Sequence, residues 1–275
     1  MQMITRRKRN LFLQRLFWTA PGFLALRGYC ALRKRIDYVL LNHSLDSETN
    51  GEYWLLDQLP AEPVVVDVGF NSGDFTAEVL RRRPKAKVFA FDPARKISGV
   101  YHERFGADSR VRFFNIALSD TAGEFEFHDY DNMCSSLSRR LDAGPEAASY
   151  FVKVERLDDW LRANGVERVD FLKIDAEGYD WNVLAGAISA MKSGIIAATM
   201  FEFASGWIGN RKFMSDVFRL LGGSELELCH VFNGFLAPKE YSVALEAFCQ
   251  GRMYLIRKSD HDWAGKLPSR NLDLP

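Results

Sequence analysis

The stretch Val64-Val65-Val66-Asp67-Val68-Gly69-Phe70-Asn71-Ser72-Gly73-Asp74-Phe75-Thr76 constrains this chain more than any other. Three adjacent β-branched residues with no polar interruption predict a strand buried on both faces. The run then breaks into a glycine turn and passes into a helical pattern from Thr76 to Arg82, stopped by Pro84. Strand, glycine turn and helix make the opening βα unit of a nucleotide-type fold. Gly69 and Gly73 lack Cβ atoms, so the backbone there can turn sharply and lie close to a ligand.

The spacing says which ligand. A dinucleotide fingerprint reads G-x-G-x-x-G and receives a pyrophosphate at the helix N-terminus. Here an acid, Asp67, precedes the first glycine, and Asn71 stands between Gly69 and Gly73. A carboxylate repels a pyrophosphate but pairs with an ammonium group. S-adenosylmethionine carries such an ammonium and no phosphate. Some 20 residues beyond the loop, the run Val88-Phe89-Ala90-Phe91 ends in Asp92, where an acid meets ribose hydroxyls. Caps or solvated turns would also explain these two acids, but their place at two successive strand ends favours a ligand.

The chain has 275 residues, enough for one large domain with an added arm. Its 36 basic and 36 acidic residues cancel, so no global field draws it to nucleic acid. Cys30, Cys134, Cys229 and Cys249 show no C-x-x-C spacing, which predicts reduced thiols, a cytoplasmic setting and no zinc.

Charge is asymmetric only at the start. The first 36 residues hold nine basic residues and no acid, interleaved with Leu11, Phe12, Leu13, Leu16, Phe17 and Trp18. The longest uncharged run, Leu16 to Leu26, is too short to span a bilayer and is broken by Pro21-Gly22. No clear small-residue cleavage site follows, which argues against a signal peptide. Residues 1–58 read as a basic, aromatic helical arm ahead of a domain over 59–275. The arm is expected to cap the site mouth as helices. A peripheral contact with an anionic membrane and a transit function are the alternatives, and its aromatic content is compatible with a homodimer.

Further along, Val111 to Asn115 is a strand, followed by a turn-rich segment from Ile116 to Gly123. Glu124 to His128 and Phe151 to Glu155 alternate with period two, which marks an antiparallel insertion at about 123–156. Such insertions shape substrate pockets. Val169 to Asp175 is a buried strand that ends in Asp175-Ala176-Glu177-Gly178. Asp180 to Met191 reads as one helix, with Trp181, Leu184, Ile188 and Met191 on its core face. Strands at Ile195–Phe203, Glu225–Phe232 and Met253–Arg257 complete an α/β fold. Its mostly parallel, seven-stranded sheet has helices on both faces. Ligands lie beyond the carboxyl ends of such strands, so Asp67, Asp92, Asn115, Asp175 and Glu202 are expected to converge on one crevice.

The pieces Asp67-Val-Gly-Phe-Asn-Ser-Gly73, Phe91-Asp92-Pro93, Ala117-Leu118-Ser119-Asp120, Ser135-Ser136-Leu137 and Phe171-Leu-Lys-Ile-Asp-Ala-Glu-Gly178 stand in a telling order. The chain resembles FkbM-type methyltransferases over roughly residues 60 to 205, with Glu202-Phe203 similar to the segment that closes the family core. The resemblance implies a class I, Rossmann-like fold and S-adenosylmethionine-dependent transfer of a methyl group to a hydroxyl of a small molecule or glycan, a sugar hydroxyl first. It implies that Asp67, Gly69, Asn71 and Gly73 hold the methionine end, and that Asp92 binds the ribose. Asn115, Ala117 and Leu118 would frame the adenine, and Asp175 and Glu177 would sit beside the reactive methyl. Asp92 departs from the family, which usually carries the longer glutamate.

An alcohol is a weak nucleophile at neutral pH, so a carboxylate that takes its proton is useful. Asp175 is the first choice of base, with Glu177 and Glu202 as alternatives. Ser135, Ser136 and His128 are candidate acceptor contacts, although a lone His on a hairpin is more often merely satisfied. Paired carboxylates could also bind a divalent cation, but no complete ligand set is visible and none is assigned. An NAD-type oxidoreductase is disfavoured by Asp67 and by the missing third glycine. A catalytically inactive binding module is disfavoured by the intact loop.

Overall fold

The computed structural model describes residues 19–130, 135–137, 148–248 and 251–272. The chain divides into two compact units, residues 1–43 and 44–275. In the first, helix α1 runs Ala20–Leu40. Thr19 Oγ1 accepts the Gly22 N–H at 3.2 Å, and Pro21 sits in the first turn, where its missing N–H costs nothing. Pro21-Gly22 therefore starts a helix rather than breaking one. Residues 1–18, the first part of the expected arm with Leu11 to Trp18, lie outside the described residues.

The second unit opens with α2 (Glu52–Gln58), β1 (Val64–Val68), α3 (Asp74–Arg82), β2 (Lys87–Phe91), α4 (Ile97–Phe105) and β3 (Val111–Phe114). Then come β4 (Ala117–Leu118), β5 (Gly123–Asp129), β6 (Ala148–Glu155), α5 (Leu157–Ala163), β7 (Val169–Ile174), α6 (Asp180–Gly186) and α7 (Ile188–Ser193). The chain ends through β8 (Ile196–Glu202), α8 (Gly206–Gly209), α9 (Met214–Leu221), β9 (Leu226–Phe232), β10 (Phe235–Pro238) and β11 (Met253–Lys258). Leu55, Leu56 and Leu59 are buried in the main core, so α2 belongs with the large unit and the arm is shorter than the expected 1–58.

Eight strands form the sheet in the order β10-β9-β11-β8-β7-β1-β2-β3. Strands β3, β2, β1, β7 and β8 are parallel, and β11, β9 and β10 add an antiparallel flank. The strand beyond the expected seven is β10, which folds back on β9 through Asn233-Gly234. Chain order reverses between β1 and β7, the switch point where the carboxyl ends splay open. Every residue of β7 is buried, and so are Val65 to Val68 of β1, as helices on both faces require. Trp160 of α5 packs edge-on against Phe91 and Phe114, at 4.9 and 4.8 Å between centroids, and fixes the end of β2.

The insertion is a separate three-stranded sheet, β4-β6-β5. Ala117-Leu118, expected to lie in a turn, pairs with Val154-Glu155 as a parallel strand and is therefore fixed in place. The expected helix from Asp180 to Met191 is two, because α6 stops at Gly186. A Cβ on Gly186 would stand 2.0 Å from the Ser119 carbonyl, so the helix end is pressed against the β4 loop. Leu184 and Met191 are buried, while Trp181 and Ile188 are half-buried against the same core.

Candidate active site

At the carboxyl ends of β1, β2 and β7 lies a cleft of about 730 Å³, its open mouth included. Gly69, Asn71, Asp92, Ala117, Leu118, Ser135, Ser136, Asp175 and Glu177 line it, as expected from sequence, together with Phe91, Lys96, Ile116 and Tyr179. A smaller pocket of about 210 Å³ is lined by Asp175, Glu177, Gly178, Asp180, Glu202, Ala204, Gly206 and Trp207. Asp175 and Glu177 belong to both.

The expected convergence holds for only part of the set. Asp67 is fully buried and does not line the cleft. Thr76 Oγ1 donates to its Oδ2 at 2.7 Å, tying the strand end to α3. Its Oδ1 accepts no hydrogen bond among the described residues, and Lys173 Nζ stands 3.8 Å away. A direct pairing of Asp67 with a ligand ammonium is therefore not what the geometry offers. Gly73 is likewise outside the cleft, where its missing Cβ leaves room for the Phe70 and Phe105 rings. Asn115 is a strap, its Nδ2 donating to the carbonyls of Asp92 (2.7 Å) and Ala94 (3.2 Å). His128 is joined to Ser136 by paired backbone bonds of 2.9 and 3.1 Å and lines neither pocket. Glu202 lines the smaller pocket rather than the cleft, and its Oε1 accepts the Gly251 N–H at 2.5 Å.

The two facing turns are built from backbone packed on backbone. Gly69, at φ 83°, lies so close to the next strand that a Cβ would stand 1.9 Å from the Asp175 carbonyl oxygen. The Asp175 N–H in turn donates to the Val68 carbonyl at 3.0 Å. Asn71 (φ 47°) and Glu177 (φ 52°) hold left-handed conformations, one in each turn, which costs free energy for a residue with a side chain. Asp180 supports the second turn, its carboxylate accepting the Ala176 N–H (3.1 Å) and the Gly178 N–H (3.0 Å). Ser136 is buried and donates to the Ala176 carbonyl at 3.0 Å, so the insertion is pinned to the same turn. Ser135 Oγ donates to Asp129 Oδ1 at 2.9 Å.

Two site residues escaped the sequence reading. Lys173 is buried within β7, its ammonium 3.3 Å from Asp175 Oδ2 and 3.8 Å from Asp67 Oδ1. Burial works against its charge, but Asp175, Asp67 and Glu52 outweigh that cost and hold the ammonium above its ordinary range. Asp180 is the other, its carboxyl pushed by burial, and then by Asp175, up to about 7. The polar residue inside a buried run was the available signal for Lys173 (Leu172-Lys173-Ile174). For Asp180 there was none beyond its place at a helix start.

Asp92 is buried and accepts the N–H groups of Asn71 (Oδ2, 2.9 Å) and Ala94 (Oδ1, 2.9 Å). Burial nevertheless raises its carboxyl to about 6. Because Asp92 and Asp180 both titrate above the ordinary carboxylate range in the folded protein, their stabilising contribution is full below about pH 4 and is lost as pH rises through about 6 and 7. A ligand whose hydroxyls donate to Asp92 favours the ionised form, so its affinity moves the other way. Titrating a nucleoside ligand between about pH 7.5 and about pH 5 should weaken binding roughly tenfold, and Asp92→Asn should flatten that dependence. A slope unchanged in the variant would remove Asp92 from the ligand contacts.

A sequence profile described as the Methyltransferase FkbM domain matches residues 67–225, from Asp67 near the end of β1 to the residue before β9. The chain belongs to the FkbM methyltransferase family. Among its relatives is the 2-O-methyltransferase NoeI of Sinorhizobium fredii, 32% identical over 139 residues, or 46% of this chain and 57% of the relative. Methyltransferase sdnD of Sordaria araneosa is 30% identical over 159 residues, 46% of this chain and 61% of the relative. The matched segments thus span less than two thirds of either relative. A solved structure, methyltransferase FkbM from Methylobacillus flagellatus, superposes with a TM-score of 0.46 at 13% identity, covering 71% of this chain and 44% of that one. Within this FkbM domain, no group of three or more His, Cys, Asp or Glu side chains is placed to hold a metal ion among the described residues. Among them, too, no helix is long and apolar enough to cross a membrane.

Proposed function

We propose that this chain is an S-adenosylmethionine-dependent O-methyltransferase acting on a hydroxyl of a small molecule or glycan, with a sugar hydroxyl the favoured acceptor. The observation that carries the reading is that Asp175 and Glu177 line both the large cleft and the smaller acidic pocket. A donor in one and an acceptor hydroxyl in the other would meet at these two carboxylates. The printed activity of NoeI supports the direction toward oxygen.

The cleft fits the donor on three counts. It has the size of a small-molecule site. Phe91, Ile116 and Leu118 give it apolar walls suited to a nucleobase, with Asp92 available to ribose hydroxyls. Beneath it, one ammonium faces the carboxylates of Asp67 and Asp175, and Asp67 Oδ1 lacks a hydrogen-bond donor. That surplus of negative groups suits a cationic ligand and disfavours a pyrophosphate, which counts against the NAD reading.

When bound, S-adenosylmethionine would supply an electrophilic methyl group on a sulfonium. The protein's own part is to hold an oxygen in line and to remove its proton. Asp175 is half-exposed and steadied by Lys173, so it can accept a proton without leaving its place. Glu177, held at positive φ, projects from the same turn and is suited to orient an acceptor hydroxyl. Glu202, across the smaller pocket, is a second hydroxyl contact.

The test couples calorimetric titration with S-adenosylhomocysteine, run beside NAD, to transfer of labelled methyl groups onto a panel of sugars. Binding of the nucleoside without NAD is the expected result. Asp175→Asn should keep that binding within a few-fold while slowing transfer by about 10²–10⁴-fold. Preference for NAD, or transfer undiminished in the variant, would overturn the assignment.

A further inference from the structure

Helix α1 exposes its apolar side chains instead of burying them. Phe23, Leu24, Tyr29, Leu32, Ile36 and Val39 are between 46% and 74% exposed. Single exposed apolar residues are ordinary, but six on one helix mark a surface that something covers. At about 100° per residue, Val39, Leu32, Ile36, Tyr29 and Leu40 gather on one side of the helix, with Arg33 at its edge, and Arg27 and Arg35 fall on the other side, flanking Leu24. We propose that α1 is a docking surface for an anionic lipid bilayer and lies in the plane of the interface.

Charge selects this occupant. The first 36 residues hold nine basic residues and no acid. A second copy laid along the helix would bring the same positive charge beside itself and be repelled. A bilayer with anionic headgroups offers both an apolar boundary for Leu32 and Ile36 and a counter-charge for Arg27 and Arg35. The helix does not cross, since it is not apolar enough for the hydrocarbon core.

The test uses the full-length chain in sedimentation with vesicles of phosphatidylcholine alone or mixed with phosphatidylglycerol. Binding to the mixed vesicles only, weakening as salt is raised, is expected. Leu32→Asp with Ile36→Asp, and separately Arg27→Glu with Arg35→Glu, should each lower that binding at least about tenfold. Their melting curves should match the parent, because none of the four side chains is buried. Absence of binding to mixed vesicles, or equal binding to both kinds, would overturn the proposal. So would a dimer in sedimentation velocity that the Asp variant dissociates while vesicle binding stays nil, which would assign the face to a second copy.

Discussion

Lys173→Met is expected to cost about 3–5 kcal/mol of folding stability and to lower the midpoint of thermal unfolding by roughly ten degrees. The side chain is buried, so the loss is not softened by solvent. The Asp67 carboxylate would be left in the core with only the Thr76 hydroxyl, and the Glu52 carboxylate with the Ser47 hydroxyl at 3.2 Å. An uncompensated buried carboxylate is far more costly than a missing ion pair. Burial already pushes the carboxyls of both Asp67 and Glu52 above their ordinary range, with Lys173 the strongest opposing influence on each. The double variant Lys173→Met with Asp67→Asn should therefore recover part of the loss, and a cycle of denaturant titrations reads that coupling. Additive losses would mean that Lys173 acts through its other contacts, Asp175 and the Phe75 ring 5.1 Å from its ammonium, and not through Asp67.

Gly69→Ala should be comparably severe, at roughly 3 kcal/mol or more. Two penalties add: the left-handed backbone at φ 83°, and a Cβ placed 1.9 Å from the Asp175 carbonyl oxygen, which is held because the Ala176 N–H of the same peptide unit is bonded to Asp180. The β1 and β7 turns would have to separate at the place where the cleft narrows. Nucleoside affinity should fall by at least about a hundredfold even where the protein still folds, as measured by calorimetry beside circular dichroism. Gly99→Ala is the control, since no atom lies within 4 Å of the added methyl group. A Gly69→Ala protein that binds normally would mean that this close approach is unimportant to the cleft.

Much of this was legible in the sequence, for identifiable reasons. Buried strands announce themselves as largely apolar runs, and Val64–Val68, Lys87–Phe91 and Val169–Ile174 lie where those runs stand, the last despite Asp170 and Lys173 within it. The acids at their ends had to face the cleft end of the sheet by topology alone. What sequence could not show is where a side chain at that end points. Asp67 turns inward because Thr76 lies one helical turn into α3 and donates to it. Asn115 turns back onto the Asp92 carbonyl. Glu202 lines the smaller pocket beside the Gly178–Gly206 contact, where a Cβ on Gly178 would meet the Gly206 carbonyl oxygen at 2.4 Å. The break after Gly186 was hidden for the same reason, since the periodicity continues across it and only the neighbouring loop interrupts the helix.

The bond from Gly251 to Glu202 ties two histories together. The cleft and its turns lie wholly within residues 67–225, whereas Gly251 follows the end of that matched segment. One wall of the smaller pocket is thus held by a tail that the family profile does not describe. A change in the chain after β9 can therefore reach the Glu202 carboxylate through one backbone bond while every residue lining either pocket stays untouched.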